Sequence, residues 1–299
     1  MSTTTFDELE RYRGELTAHC YRMLGSLQDA EDAVQETLIS AWRGLDSFEG
    51  RSSLRTWLYR IATHACIRLG KKRIETPDYG PPWNRVDDLG EPAVGQAWLE
   101  PFPSFERRES VELAFVAALQ HLPANQRAVL ILRDVLEFSA AEVAQLLDTT
   151  PVSVNSALQR ARKTVHERVP PVSQQAELAA LGDAGQRELV RAFVTAWESS
   201  DVDSLVGLLA DDARFTMPPL PAWFAGRDMV ARFFAERVFA TPWRLRPASI
   251  NAQLGFVCYQ GGGEGEVSAV NVLSLRAGKI TRISAFIDPD VRKKFAAVR

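Results

Sequence analysis

The chain has 299 residues, 46% hydrophobic and 24% charged, a composition typical of a globular protein with about two domains. Its net charge of −3 excludes a protein that coats nucleic acid through a general basic excess. The cysteines Cys20, Cys66 and Cys258 are far apart with no C-x-x-C, so neither a disulfide framework nor a zinc ribbon is expected. We expect no metal site and no cofactor. No signal peptide and no apolar run of roughly 18 residues occurs, which predicts a cytoplasmic protein without membrane contact.

The first part of the chain is predicted to be helical. Apolar residues recur every three or four positions through residues 29–45, with Trp42 on the apolar stripe. Acidic residues occupy the early turns, where the helix dipole favours negative charge. A second amphipathic helix is predicted over residues 53–72.

A basic cluster covers this second helix. Residues 51–73 contain seven Lys or Arg and no acid, with Trp57 and Tyr59 interleaved. Such a cluster favours a polyanion, because basic side chains neutralise phosphates and aromatic faces stack on unpaired bases. The alternative is a solvated basic helix with Trp57 in the core.

Residues 74–110 differ from both neighbouring segments. They contain three basic and eight acidic residues and six prolines. Because proline breaks long helices and sheets, this segment is predicted to be an extended acidic linker.

The third block has the layout of a helix-turn-helix. Ser139 and Glu142 form a capping box, and Thr150 can cap a second helix that has Pro151 at its first position. Asn, Gln, Arg and Ser side chains remain on the outer face of that helix, where they suit base edges and phosphates. A plain helical hairpin with a polar face is the alternative.

The C-terminal block is predicted to be α+β. Helices at about 186–200, 202–210 and 227–240 precede strand-like runs LGFVCYQ, EVSAVNVLSLR and KITRISAFI, joined by short Gly-containing turns.

Several sequence blocks, in order, carry a resemblance. DAEDAVQETLISAW and FEGRSSLRTWLYRIA precede LPANQRAVLILRDVLEFSAAEVAQLLDTTPVSVNSALQRARK. Together they resemble the promoter-melting and upstream-element domains of a bacterial RNA polymerase sigma factor of the extracytoplasmic-function group. AFVTAWESSDVDSLVGLLADDARFTMPP resembles the opening of the SnoaL-like cone-shaped fold, and WLEPFP resembles a linker motif of the subgroup with that fold fused.

The resemblance implies a multidomain chain, with two all-α domains, the second a helix-turn-helix, followed by an α+β SnoaL-like domain. Its parts would be sigma region 2 at 6–73, the acidic linker at 74–110, sigma region 4 at 111–168 and a regulatory SnoaL-like domain at 186–297. The implied function is a sigma factor that binds core RNA polymerase, recognises promoter DNA and starts transcription. The C-terminal domain would modulate that activity in cis, with or without a small-molecule ligand.

The resemblance also implies roles for individual residues. The linker would thread through the polymerase cleft, and the loop 48–53 with the basic helix would melt the minus-ten element. Polymerase-core binding falls to Asp29, Glu31, Asp32, Gln35 and Glu36. Minus-ten DNA binding falls to Arg51, Ser53, Arg55, Trp57, Tyr59, Arg60, His64, Arg68 and Lys71. Minus-thirty-five DNA binding falls to Ser153, Asn155, Ser156, Gln159, Arg160, Arg162 and Lys163.

This chain departs from the family at His64 and Arg68, where Asn and Asp are usual. The departure leaves its minus-ten preference open. A lone His on a helix surface without a role is the alternative for His64.

Two other function classes compete with a sigma factor. A ligand-responsive helix-turn-helix regulator would bind duplex DNA without polymerase. An enzyme would need a catalytic pair in the C-terminal block, where Asp201, Asp211, Asp212, Asp288 and Cys258 each lack an evident second group. We therefore expect no catalytic residues, with Asp211 and Asp212 in a turn. The aromatic set of this block could line a pocket or fill a core: Phe193, Trp197, Phe215, Met217, Trp223, Phe224, Phe233 and Phe234.

Overall fold

The computed structural model describes residues 6–50, 52–70, 74–75, 81–92, 97–103, 112–261, 263 and 265–296. The chain forms two compact units, each assembled from two stretches of sequence. The first unit comprises Met1–Ile74 and Leu113–Val169, and the second comprises Glu75–Glu112 and Pro170–Arg299. Within the described ranges, no helix combines the length and the apolar character needed to cross a bilayer.

The first unit is built mainly from helices. Its α-helices are α1 (Phe6–Glu10), α2 (Arg13–Leu24), α3 (Leu27–Gly44), α4 (Leu54–Leu69), α5 (Leu113–Gln120), α6 (Ala124–Leu130), α7 (Ala140–Leu146) and α8 (Pro151–His166). A single π-helical segment over Ile131–Val135 follows α6.

Local signals set the helix ends in this unit. The Ser26 side chain accepts from the Asp29 backbone N–H at the start of α3. Gly25, at φ 69°, ends α2 in the left-handed region, and its N–H donates to the Tyr21 carbonyl. The predicted capping box of α7 and the Thr150 cap of α8 are both confirmed. These short-range patterns are therefore reliable where the polar cap and the apolar stripe agree.

A buried arginine joins α2 to α6. Arg127 is 7% exposed, and its guanidinium donates to the carbonyls of Met23 and Leu122 and to the Gln120 side chain. Burial lowers the pKa of Arg127 to about 10, so the group stays charged at neutral pH. These three contacts, with a fourth to the Gln120 carbonyl at 3.3 Å, stabilise a charge that would otherwise be costly to bury.

The second unit is α+β, as predicted. Its elements are α9 (Gln174–Glu198), α10 (Val202–Gly207), β3 (Leu209–Thr216), β4 (Trp223–Ala225), α11 (Arg227–Glu236), β5 (Trp243–Ile250), β6 (Gln253–Gln260), β7 (Val267–Arg276), β8 (Lys279–Phe286) and α12 (Pro289–Ala296). Two short strands, β1 (Ile74–Glu75) and β2 (Ala97–Trp98), pair separately.

The six-stranded sheet has the order β4-β3-β8-β7-β6-β5. The three predicted strands became the antiparallel meander β6–β8, and β3 pairs with β8 in parallel. Ala277 (φ 50°) and Gly278 (φ 75°) form the β7–β8 turn, as hairpins of this twist require. Helix α9 packs on β5, β6 and β7, and α11 packs on β3 and β4.

One sequence expectation for this unit is wrong, and other features were not predicted. Asp211 and Asp212 lie on β3 rather than in a cap or turn after α10, which already ends at Gly207. The helix predicted at about 186–200 corresponds to the part of α9 after a non-helical break at Gly182, and the part before the break was not predicted. Strands β3 and β5 were not predicted, since two acids interrupt one and Pro247 lies in the other, an edge strand where proline is tolerated.

The aromatic set of the second unit fills its core. Phe193 stacks on Phe256 at 4.7 Å between ring centroids, and Phe224 stacks on Phe233 at 4.5 Å. Trp197 lies edge-on to Phe234 at 5.3 Å. The eight aromatic and Met side chains named from the sequence are all at most 6% exposed. Of the two expectations for them, core packing therefore describes the structure.

The predicted extended linker belongs to the second unit. The Trp83 backbone N–H donates to the Trp223 carbonyl at 2.8 Å, and Val86 is 2% exposed within the core. Phe102 donates its N–H to Asn251 Oδ1 at 2.7 Å, and its carbonyl accepts from the Asn251 N–H at 2.8 Å. The described residues of the predicted linker therefore pack on the second unit, which the sequence did not indicate.

Candidate nucleic-acid interface

The outer face of α8 lies fully in solvent. Its buried stripe is Val154, Leu158 and Ala161, each at most 5% exposed. On the other side, the seven residues assigned to minus-thirty-five binding are all exposed, as predicted: Ser153, Asn155, Ser156, Gln159, Arg160, Arg162 and Lys163. The second helix of a helix-turn-helix reads base edges with such a face.

One cation of α8 has a partner within the unit. Arg162 makes a bidentate ion pair with Asp134, at 2.7 and 2.8 Å between nitrogen and oxygen. This pair raises the pKa of Arg162 from its ordinary value. The Arg162 guanidinium therefore lies against Asp134, apart from that of the neighbouring Arg160.

The turn before α8 is built by Asp148, whose backbone adopts φ 50°. Aspartate tolerates this left-handed conformation better than most residues. The conformation lets α7 and α8 follow each other with only four residues between Leu146 and Pro151.

Helix α4 is positioned by a polar cap and an aromatic pair. The Ser53 side chain accepts from the Thr56 N–H at 3.0 Å. Trp57 is half-buried and packs against Phe48 at 4.9 Å between ring centroids. Trp57 is thus neither a fully buried core residue nor a free stacking face. Arg51 and Lys71 lie outside the described residues.

The cations of α4 are engaged by acids of the same unit. Arg55 Nε lies 3.0 Å from Glu15 Oε2, and Arg68 Nη2 lies 2.5 Å from Glu36 Oε1. Arg60 contacts both carboxylate oxygens of Asp148, at 2.7 and 3.0 Å. The helix that was predicted to bind phosphates therefore has three of its guanidinium groups on carboxylates.

His64 is not an isolated surface histidine. Its Nε2 donates to the Leu146 carbonyl at 3.0 Å and lies 3.7 Å from Asp148 Oδ2. Together with Arg60, it joins α4 to the turn of the helix-turn-helix. Sequence reasoning did not find this contact, because 82 residues separate the two partners.

Tyr59 completes the contact between α4 and the helix-turn-helix. It is fully buried, and its ring lies edge-on to Phe138 at 5.7 Å. The Arg55 guanidinium lies 4.9 Å from the Tyr59 ring centroid and 5.6 Å from that of Phe138. In this arrangement the Tyr59 face predicted for base stacking is occupied by protein.

The outer face of α3 is acidic with an apolar end. Of the residues assigned to polymerase binding, Glu31, Asp32, Gln35 and Glu36 are exposed and Asp29 is half-buried. Ile39 and Trp42 follow at helical spacing and are 42% and 51% exposed. Placing Trp42 on the buried stripe is therefore wrong, since it lies at the surface, edge-on to Phe6 at 5.8 Å. An exposed Ile–Trp pair beside carboxylates is typical of a protein-binding surface.

The lone polar groups of the second unit have structural partners. Asp201 caps α10 and Asp288 caps α12, each accepting a backbone N–H. Asp211 pairs with Arg227 and Asp212 with Arg276, both at 2.6 Å. Cys258 is buried, and burial raises the pKa of its thiol, which makes it a poor nucleophile.

Family models match the chain in three places. The Sigma-70 region 2 model matches residues 9–73, the Sigma-70 region 4 model residues 112–165, and the SnoaL-like domain model residues 190–283. The three matches occur in the order that the sequence motifs predict.

Two relatives match nearly the whole chain. The ECF RNA polymerase sigma factor SigG of Mycobacterium tuberculosis is 40% identical, and the match covers 96% of this chain and 82% of SigG. The ECF sigma factor SigJ of the same organism is 28% identical over 95% of this chain and 91% of SigJ. The crystal structure of SigJ superposes with a TM-score of 0.64 at 22% identity, covering 99% of this chain and all of that one. This structure shares the fold.

Proposed function

Because the chain belongs to the extracytoplasmic-function sigma factors of bacterial RNA polymerase, we propose that its first unit reads a promoter with two separate helices. As a sigma factor it binds core polymerase, recognises promoter DNA and starts transcription. In the proposal, α8 reads the minus-thirty-five duplex, while α4 and the loop before it melt the minus-ten element. The supporting observation is the solvated polar face of α8, opposite a buried stripe.

The acidic face of α3 is the proposed polymerase contact. Glu31, Asp32, Gln35 and Glu36 supply the polar part, as the family resemblance implies, and Asp29 lies at its edge. We add Ile39 and Trp42, whose exposure the structure revealed. Large apolar side chains at the centre of a charged interface supply most of its binding energy.

Binding to the minus-ten element requires that contacts of α4 within the unit open first. Arg60 and His64 can bind the non-template strand only after leaving Asp148 and the Leu146 carbonyl. The exchange is inexpensive, because an exposed ion pair contributes about 0–1 kcal/mol. Phosphates can therefore replace the carboxylate when polymerase presents the promoter.

The direct test is transcription with purified core polymerase. The full chain added to core is expected to give run-off transcripts from promoters it selects, and to copurify with core. A chain with Trp42→Ser should lose copurification, whereas Val172→Ser, which changes another exposed apolar residue, should retain it. Strong binding to duplex promoter DNA without core, and no transcript with it, would instead indicate a polymerase-independent regulator.

We further propose that the C-terminal domain modulates activity in cis by holding the linker. Support comes from Val86 in its core and from the two hydrogen bonds between Phe102 and Asn251, one to the Asn251 side chain and one from its backbone N–H. A linker held there is not available to thread through the polymerase cleft, so release of this segment would favour initiation. The domain acts in this scheme as a binding module, without a catalytic step and without a required ligand.

Asn251→Gly tests this modulation more gently than truncation, because glycine tolerates the backbone φ of 53° at this position. The variant loses the side-chain oxygen that accepts from the Phe102 N–H, and we expect higher promoter-specific transcription at equal protein concentration. Removing residues 174–299 should change activity in the same direction. Unchanged transcription in both variants would contradict cis modulation while leaving the sigma-factor activity intact.

A further inference from the structure

The start of α8 presents an apolar side chain that the fold does not use. Val152 is 75% exposed, the largest value among the large apolar residues described as exposed. It is the second residue of the helix, directly after Pro151. A β-branched residue is a poor choice for a solvated helix position on stability grounds alone. Its side chain therefore adds nothing to the core of the unit and is available for a contact outside it.

Helical spacing places Val152 among the polar residues of the reading face. Asn155, Ser156 and Gln159 follow it at three, four and seven residues, and all of them are exposed. Positions with this spacing share one face of a helix. The buried stripe of Val154, Leu158 and Ala161 occupies the opposite face. Val152 thus points away from the core with the side chains that suit base edges.

Position along the helix adds a second constraint. In a helix-turn-helix, the N-terminal residues of the second helix contact base edges in the major groove. Val152 and Asn155 lie in the first turn and a half of α8. Lys163, on the same face, lies at the other end of the helix and suits a phosphate.

The apolar side chain of Val152 then indicates which base it can contact. The major groove presents hydrogen-bonding atoms for every base pair, and one apolar group, the C5 methyl of thymine. A valine side chain has no donor or acceptor, so beside any other base edge it leaves polar atoms desolvated and unpaired. Against a thymine methyl it buries apolar surface on both sides.

We propose that Val152 selects a thymine in the minus-thirty-five element by packing on its C5 methyl group. The inference rests on the proposed reading of that element by α8, and it assigns Val152 as a specificity residue beside the polar set. Loss of one buried methyl group corresponds to about a fourfold change in binding.

Deoxyuridine tests the proposal, because it differs from thymine only by the missing methyl. Holoenzyme made from core polymerase and the full chain first selects promoters from a library randomised across the minus-thirty-five element. Each thymine of the selected element is then replaced singly by deoxyuridine, and open-complex formation is measured. We expect one position at which deoxyuridine lowers open-complex formation about fourfold for the unsubstituted chain.

Two variants make the test specific. Val152→Ser should form open complexes equally well with thymine and with deoxyuridine at that position. Val172→Ser, which changes an exposed valine outside α8, should keep the full penalty. Both residues are exposed, so neither substitution disturbs a core.

The outcomes separate this inference from the function on which it rests. A selected element that tolerates deoxyuridine at every thymine, or a penalty that persists in Val152→Ser, would overturn the role of Val152 alone. A library with no minus-thirty-five preference would overturn the reading by α8 and this inference with it.

Discussion

Helices α4 and α8 were both predicted to bind DNA, but their polar side chains have different surroundings in the structure. On α4, Arg55, Arg60 and Arg68 each contact a carboxylate of the first unit. On α8, the reading residues from Asn155 to Gln159 are exposed. One helix is thus engaged by its own protein, and the other is presented to solvent.

The difference fits the two kinds of DNA that the helices are proposed to bind. Duplex DNA needs no rearrangement to meet a preformed helix face in its major groove. A melted strand exists only after unpairing, which costs a few kcal/mol. The carboxylates of Glu15, Glu36 and Asp148 pair with the α4 cations until that strand is available, and we expect this pairing to lower binding to unrelated polyanions.

The largest expected effect comes from a substitution on the exposed face of α8. Asn155→Ala should lower run-off transcription from a selected promoter roughly 10- to 100-fold, because a bidentate base contact is worth about 1–3 kcal/mol. Asn125→Ala, at an exposed position of α6, serves as the matched control and should have little effect. Equal loss in both variants would show that α8 does not read the element.

A second prediction concerns the buried side of α4. His19 is fully buried, its Nε2 lies 2.9 Å from Thr63 Oγ1, and burial lowers its pKa to about 3. The unfolded chain binds this proton near pH 6.5, so stability is lost as the pH falls below that value. At pH 5 the loss from this group is about 2 kcal/mol in the free energy of unfolding.

Urea unfolding at pH 7.5 and pH 5 measures this loss. His19→Gln should reduce the difference between the two pH values, while His166→Gln, which changes an exposed histidine, should leave it unchanged. The imidazole pKa of His19, followed by NMR, gives a readout that does not depend on the variant folding. An imidazole that titrates near pH 6.5 would contradict the prediction.

Removing the carboxylate that pairs with Arg60 of α4 should have a smaller effect, on the binding of single-stranded DNA. Asp148→Asn removes the charge that binds Arg60, and asparagine tolerates the same positive φ. We expect the free chain to bind a single-stranded minus-ten oligonucleotide up to about fivefold more tightly, since the lost pair is exposed. Asp134→Asn releases Arg162 instead and should not alter that binding, as fluorescence anisotropy can measure.

The smallest expected effect is a change in the salt dependence of DNA binding, and it should differ between two arginines of α8. Arg162 is paired with Asp134, whereas Arg160 is exposed on the reading side. Arg160→Ala should lower the slope of log affinity against log salt by about one, as expected for one lost phosphate contact. Arg162→Ala should leave the slope unchanged, and an equal decrease would show that the Asp134 pair opens on DNA.

Sequence patterns predicted the features set by near neighbours. The caps at Ser139 and Thr150, the stripe of α8 and the β6–β8 meander all follow from local spacing, and the structure has them. Features set by distant residues were missed. The Arg60–Asp148 contact spans 88 residues, and neither residue type reveals its partner.

The linker shows what composition alone leaves out. Six prolines and an acidic excess disfavour long helices over residues 74–110, and the described residues of that range contain none. Yet attachment to the second unit depends on a few irregularly spaced residues, Trp83, Val86 and Phe102. No periodicity marks such residues, because each one occupies a separate place on the unit rather than one face of a helix or strand.

Because the linker belongs to the second unit, the two units become complete at different times during synthesis. The first unit needs no residue beyond Val169, whereas the second combines Glu75–Glu112 with strands that end at Phe286. Since domains fold as they leave the ribosome at about 5–20 residues per second, the DNA-reading unit can fold several seconds before its partner. During that interval the nascent chain holds Trp83, Val86 and Phe102 without the residues of the second unit that they later contact.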